Sequence, residues 1–205
     1  MSEKKSILRE ARRQALMRVA TELFLEKGFG ATSVNEIVRR AGGSLATLYS
    51  IFNTKEDLFE AILSEVNARV LEPFQAPAAL ELPVRDVLLS IASVYITTLS
   101  DPTSLALFRL FVAEASRFPA LREIAARSAF AQGDRLFQQY LQQKADDGLL
   151  VIPDVAMATS QFKGLLRGNW HVKAAIGLEI APDVLEATKV AAVEMFLAVY
   201  EKKPG

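Results

Sequence analysis

Apolar residues recur at three- and four-residue spacings along nearly the whole chain, the pattern of amphipathic helices rather than strands. The first run carries Leu8, Ala15, Leu16, Val19, Ala20, Leu23 and Phe24, and Gly28 ends it. Ser33 is placed to cap a second helix with the stripe Val34, Ile37, Val38 and Ala41, and Glu36, three residues on, completes a capping box. Gly42 and Gly43 break that helix. Ser44 then caps a short third helix running to Ile51, with Leu48 and Phe52 toward the core and Ala46, Thr47 and Tyr49 elsewhere on its circumference. Thr54 followed by Asp57 opens a longer fourth helix carrying Leu58, Phe59, Ile62, Leu63, Val66 and Val70.

After Leu71 the pattern dissolves, because Pro73, Pro77 and Pro83 deny a continuous helix. Five further helical stretches are predicted beyond it: Val84 to Ser100, Thr103 to Arg117, Ala120 to Lys144, Asp154 to Ile176 and Pro182 to Lys202. The fold class is therefore all-α, with about nine helices. The expected division is a helix-turn-helix domain over residues 1–53 and a helical sensing and dimerisation domain over 54–205, with 54–71 as a connecting helix and 72–83 as a linker.

Composition narrows the chemistry. Hydrophobic residues make up 51% of the chain, enough for a proper core and too many for disorder. Net charge is zero, with 24 basic and 24 acidic side chains, so any nucleic-acid surface must come from uneven distribution. The first twenty residues hold Lys4, Lys5, Arg9, Arg12, Arg13 and Arg18 against only Glu3 and Glu10, a basic head on a slightly acidic body. The absence of cysteine excludes disulfides and thiolate nucleophiles, and one histidine, His171, cannot supply a metal site by itself. No catalytic constellation, metal site or cofactor is expected: Gly28-Phe29-Gly30 lacks the third glycine of a dinucleotide turn. The N-terminus lacks the apolar stretch of a secretory signal, and the uncharged run from Val87 to Ser100 is too short to span a bilayer, so a cytoplasmic protein without membrane association is expected.

The ordered set Phe24 to Phe29, Thr32-Ser33-Val34, Ile37, Ala41-Gly42, Ser44, Thr47-Leu48-Tyr49, Phe52 and Lys55-Glu56-Asp57-Leu58 resembles the TetR-type transcriptional regulators over roughly Ala11 to Ile62. The segment from Phe108 to Pro119, FRLFVAEASRFP, is similar to the ligand domain of a subset of that family. The resemblance implies a repressor that binds double-stranded operator DNA as a homodimer through its last two helices. It also implies a small-molecule pocket in the C-terminal bundle whose occupancy alters DNA binding.

A third helix lying in the major groove makes Leu45, Ala46 and Thr47 the base-facing candidates: apolar contacts suit thymine methyls, and a hydroxyl donates or accepts. Thr32, Ser33, Tyr49 and Lys55 are the phosphate candidates implied by the matching family positions, and Ser44 joins them because free N–H groups gather at a helix start. The chain departs from the family pattern at Gly43, Leu45, Ser50 and Ile51. No cation stands between Ser44 and Thr54, so Arg39, Arg40, Lys55 and a basic N-terminal arm with Lys4 and Lys5 must supply the grip.

For the sensing half, Tyr95, Phe108, Phe111, Phe137, Phe162, Trp170 and His171 are the pocket candidates, with an unidentified, partly apolar effector. Phe130 belongs to the same apolar set. Gly164 and Gly168, four residues apart, together with Val193, Phe196, Leu197 and Tyr200 on the last helix, are the expected dimer seam. The uncharged third helix also keeps open a different class of function, an all-α small-molecule carrier or interaction protein whose DNA-binding domain has decayed.

Overall fold

The computed structural model describes residues 2–74, 81–124 and 131–203. Eleven α-helices occur among them: α1 (Ser2–Lys27), α2 (Val34–Ala41), α3 (Leu45–Tyr49), α4 (Lys55–Ala68), α5 (Val84–Ser100), α6 (Pro102–Glu114), α7 (Pro119–Ile124), α8 (Ala131–Asp146), α9 (Val155–Arg167), α10 (Trp170–Ala175) and α11 (Pro182–Tyr200). A 3-10 turn, Arg69–Phe74, follows α4. The all-α class is as the periodicity predicts. The helix count rises from nine for two reasons. The stretch expected from Asp154 to Ile176 divides at Gly168, whose φ of +47° a residue with a Cβ adopts only under strain. The stretch expected from Ala120 to Lys144 is described as α7 and α8, while 125–130, with Phe130, lies outside the described residues. Much of the expected 72–83 linker, 75–80 with Pro77, lies outside them too.

Two compact units form, one from Met1–Glu65 with Ala106–Ala129, the other from Val66–Leu105 with Phe130–Gly205. This differs from the expected split after residue 53, because the segment around Phe118 groups with the N-terminal helices. In that first unit Phe29 is the hub of a ring cluster, 5.4 Å from Phe24, 5.4 Å from Phe59 and 5.3 Å from Phe118. Gly30 has no side chain where the Phe118 ring sits; a Cβ there would lie 2.7 Å from the ring. Leu16, Leu23, Ile37, Leu48 and Leu58 are fully or almost fully buried beside these rings. Each such side chain stabilises the fold by roughly 1.5–3 kcal/mol relative to exposure, and edge-on ring pairs add about 0.5–1.5 kcal/mol.

The second unit is a helical bundle whose core draws Val87, Leu88, Ile91 and Tyr95 from α5, Phe137 and Leu141 from α8, Phe162 and Leu166 from α9, Trp170 from α10, and Val193, Phe196 and Leu197 from α11. Aromatic rings run through it in contact: Phe137 with Phe162 at 5.3 Å, Phe162 with Phe196 at 5.0 Å, and Phe196 with Tyr200 at 4.8 Å. His171 is buried edge-on to Trp170.

Burial pushes the His171 imidazole below its ordinary titration range, and the Arg167 charge acts in the same direction. The folded chain thus binds this proton less readily than the unfolded chain, whose imidazole titrates near about 6.5. The stability contributed by neutral His171 is complete above that pH and is lost as pH falls through the lower folded-state value. Thermal melting of the native chain is therefore expected to lose more between about pH 7.5 and about pH 5.5 than that of His171→Gln. Equal losses in the two proteins would contradict the burial argument.

Candidate nucleic-acid interface

Each helix start in the first unit is fixed by a hydroxyl. Ser33 Oγ accepts from the Glu36 N–H at 3.2 Å, Ser44 Oγ from the Thr47 N–H at 3.1 Å, and Thr54 Oγ1 from the Asp57 N–H at 3.0 Å. The capping box expected at α2 is only half formed. Glu36 turns its carboxylate to Lys27 instead, and that hydrogen bond above all holds its pKa below the usual carboxylate range. α3 is secured from α1 at both ends: Arg12 Nη1 donates to the Ala41 carbonyl before it at 2.9 Å, and Arg9 Nη2 to the Ser50 carbonyl at its close at 3.3 Å. Gly43 sits between, at a φ of +100°, and any Cβ there would run into the Arg12 guanidinium. The unusual glycine of this turn is thus the partner of an arginine three turns along another helix.

The outward side of α3 is formed by Leu45, 38% exposed, by the exposed Ala46 and by Tyr49, 50% exposed. Thr47 is less open, and its hydroxyl shares a 3.0 Å hydrogen bond with Ser44 Oγ, so both expected contact hydroxyls already have a partner in the cap. Arg39 is open, its side chain 81% exposed and only loosely paired with Glu36 at 3.9 Å. Arg40 is tied to Glu26 at 3.1 Å. Because α1 begins at Ser2, Lys4 and Lys5 lie on helical backbone rather than on an extended arm.

Two of the phosphate candidates are engaged within the protein. Thr32 is 2% exposed, and its hydroxyl donates to the carbonyls of Leu23 and Gly28, 3.1 and 2.8 Å away. Lys55 turns inward: its Nζ donates to the carbonyls of Phe29 at 2.8 Å and Thr32 at 3.0 Å and lies 4.4 Å from the Phe29 ring centroid. Burial lowers its pKa, a shift opposed by the charges of Glu56 and Glu114. Both residues hold the α1–α2 turn, whose carbonyls would otherwise stay unpaired in a partly buried site. Sequence reasoning missed Arg9 and Arg12 as positioning residues. Their spacing of three on a helical face was the available signal.

The expectations for the second unit are also revised. Tyr95, Phe137, Phe162, Trp170 and His171 are buried in its core. The Tyr95 hydroxyl accepts from Arg167, and the Trp170 indole donates to the Leu166 carbonyl at 2.8 Å. Phe108 and Phe111 fall in the first unit. Val193, Phe196 and Leu197 face the core of their own unit, while the partly buried Tyr200 donates to Gln161 at 2.6 Å. Gly164 does face outward, with open space around it, and the exposed Gly168 ends α9. A second apolar stripe on α11, with Val184, Met195 and Val199 exposed, points away from the core. Among the described residues, no helix is long and apolar enough to cross a membrane and no cluster of His, Cys, Asp or Glu is suited to a metal ion.

A short capped helix held against two others, with an open apolar and hydroxyl face and cations at its flanks, defines a helix-turn-helix DNA-binding domain. The family model described as bacterial regulatory proteins, tetR family, matches residues 16–62, and that of the AefR-like transcriptional repressor C-terminal domain matches residues 86–202. The chain belongs to the TetR family of transcriptional regulators and carries an AefR-like C-terminal domain. It is similar to the HTH-type transcriptional regulator YezE of Bacillus subtilis, 33% identical over 33% of this chain and 37% of that protein. It is also similar to QacR of Staphylococcus aureus, 45% identical over 24% of this chain and 26% of that one. These matches span well under two thirds of either relative. Similar solved structures include a TetR-family regulator from Mesorhizobium loti, with a TM-score of 0.80 and 28% identity over 95% of this chain and 98% of that one. Another is the flavonoid-responsive regulator FrrA, with a TM-score of 0.74 and 28% identity over 95% of this chain and 100% of that one.

Replacing Lys55 with alanine is expected to lower the free energy of unfolding by about 1–3 kcal/mol in urea titrations, since two carbonyls lose their donor. The same variant is expected to keep the salt dependence of DNA binding, because its ammonium is held by the Phe29 and Thr32 carbonyls; a slope reduced by about 1 would assign it a phosphate contact. Gly43→Ala is expected to destabilise by about 1–3 kcal/mol through backbone strain and collision. Adding Arg12→Ala to it relieves only the collision, so the double variant is expected to lose less stability than the two single variants summed.

Proposed function

We propose that this regulator binds operator DNA as a homodimer, acts as a repressor, and is released by a small organic effector held in its C-terminal unit. The observation that carries the reading is the outward face of α3, Leu45, Ala46 and Tyr49, flanked by Arg9 and Arg39 on a domain matched by the TetR-family model. Leu45 and Ala46 suit thymine methyls in the major groove, with Thr47 at the edge of the same face. In this reading Tyr49, the helix starts at Ser33 and Ser44, and Arg39 meet phosphates, and with α3 uncharged, Arg39 and α1 supply most of the electrostatic attraction.

Dimerisation is supported by the outward apolar residues Val184, Met195 and Val199 of α11 and Met157 of α9, beside the open Gly164. Several exposed apolar side chains on one helix face suit burial against a second copy. Two half-sites read by one body also compensate for a weak single helix. A small-molecule effector is in keeping with the response named for FrrA. An effector that prefers the released form by about 1–3 kcal/mol changes operator affinity by roughly 5- to 150-fold. The cytoplasm, where bacterial DNA lies, is the corresponding location.

Fluorescence anisotropy on fragments flanking the coding region tests the DNA reading. Salt-sensitive, sequence-selective binding is expected, with Arg39→Ala lowering the salt slope by about 1 and Tyr49→Ala weakening binding on all fragments alike. Leu45→Ala is expected to relax discrimination by about 1–3 kcal/mol at one base step. Binding that ignores both sequence and salt would defeat the proposal. In sedimentation velocity, Met195→Glu is expected to convert a dimer to monomers; a native monomer would remove the dimer from the reading.

A further inference from the structure

The outward face of α3 holds no side chain able to grip a base edge at two points. From Ser44 to Ile51 the chain reads SLATLYSI, without arginine, lysine, asparagine, glutamine, aspartate or glutamate. Those are the side chains that single out guanine, adenine or cytosine by hydrogen bonds in the major groove. The hydroxyls present are largely engaged inside the protein. Ser44 Oγ and Thr47 Oγ1 share a hydrogen bond at 3.0 Å, which leaves one of their two protons, and the Ser50 hydroxyl donates to the Thr47 carbonyl at 2.7 Å. Arg9 and Arg12, which border the helix, are committed to the Ser50 and Ala41 carbonyls. What α3 presents to solvent at its start is hydrocarbon, the exposed side chains of Leu45 and Ala46.

We propose that α3 reads its operator through the C5-methyl groups of pyrimidines, of thymine and of 5-methylcytosine alike, so that cytosine methylation at a contacted step raises affinity. The inference rests on the operator reading above and deepens it by naming the chemical group recognised. In the helix-turn-helix mode the start of this helix meets base edges in the major groove. Among the groups displayed there, the C5-methyl is the apolar one, whereas N7, O6, O4 and the amino groups call for a hydrogen-bond partner. Thymine and 5-methylcytosine carry the methyl at the same ring position. They differ in the acceptor or donor at C4, which the side chains of Leu45 and Ala46 do not test. A cytosine that becomes methylated thus gains what α3 detects without any change in its base pairing. Burying one group of this size is worth about fourfold in binding, and two half-sites on one dimer multiply that to roughly fifteenfold.

A duplex bound by the full chain is selected from a random-sequence pool, rebuilt with one base analogue at a time, and titrated by fluorescence anisotropy. Uracil in place of thymine removes only the methyl, and is expected to weaken binding about three- to fivefold at one or more steps of each half-site. At those steps a pair of 5-methylcytosine with guanine is expected to bind at least about threefold better than the unmethylated pair. Exchanging each purine for its 7-deaza analogue, which lacks the N7 acceptor, is expected to cost less than loss of the methyl. In Leu45→Ala the difference between thymine and uracil is expected to fall below about twofold, whereas Leu45→Met keeps it, a contrast that a merely structural role would not produce. The base-analogue comparisons use the native chain and decide the proposal even where a variant fails to fold. It is overturned if uracil is tolerated at every step, if methylation of cytosine brings no gain, or if loss of an N7 costs more than loss of any methyl. A pool that yields no preferred sequence overturns the operator reading and this proposal with it, while a preferred sequence indifferent to uracil overturns this proposal alone.

Discussion

The first unit hangs on the turn from Gly28 to Thr32. Its carbonyls take the Lys55 ammonium from α4, its threonine hydroxyl closes back onto α1, and its phenylalanine is the meeting point of three other rings. Glu114 at the end of α6 sits where Gly28 has no side chain; a Cβ there would lie 2.8 Å from its Oε1. A turn is normally a place where backbone polar groups look to water. Here they look to protein, so the ends of α1 and α4 and the 114–118 segment are all referred to the same few atoms. The recognition helix inherits its position from this joint, because α2 springs directly from it.

Electrostatics and geometry are separated in this head to an uncommon degree. The recognition helix carries no charge of its own, and two of the arginines that border it, Arg9 and Arg12, are spent on carbonyls at its turn and its end. They place the helix while also lending it positive potential, so a neutral reading surface is set within a charged frame. Arg39, by contrast, is nearly free in solvent. Contacts of the first kind are rigid and local, whereas the Arg39 side chain is free to turn.

Local chemistry was legible in the sequence wherever a short-range rule applied. The caps at Ser33, Ser44 and Thr54 form as their spacings predict, α5 begins and ends where Val84 and Ser100 were placed, and the stripe of α2 buries Ile37 and Val38. What escaped was whatever depended on a distant partner. Thr32 and Lys55 have the chemistry of phosphate ligands, and only the fold reveals that backbone carbonyls reach them first. The last helix is apolar on two faces, so periodicity alone did not tell that Val193 and Phe196 look inward while Val184 and Met195 look out. The attachment of residues near Phe118 to the first unit rests on a single ring against Phe29 and a missing side chain at Gly30, a signal of shape that spacing does not carry.

The pairing of Arg12 with Gly43 has a consequence for anyone wishing to change what this regulator reads. Its specificity element is not one contiguous stretch of sequence: the turn that aims α3 is filled by a side chain about thirty positions upstream, on a helix that touches no base in the helix-turn-helix mode. A recognition helix transplanted from a relative with an ordinary residue at that turn would arrive facing an arginine already in its place. Retargeting by grafting therefore has to move two separated pieces of chain together, with α1 treated as part of the reading head.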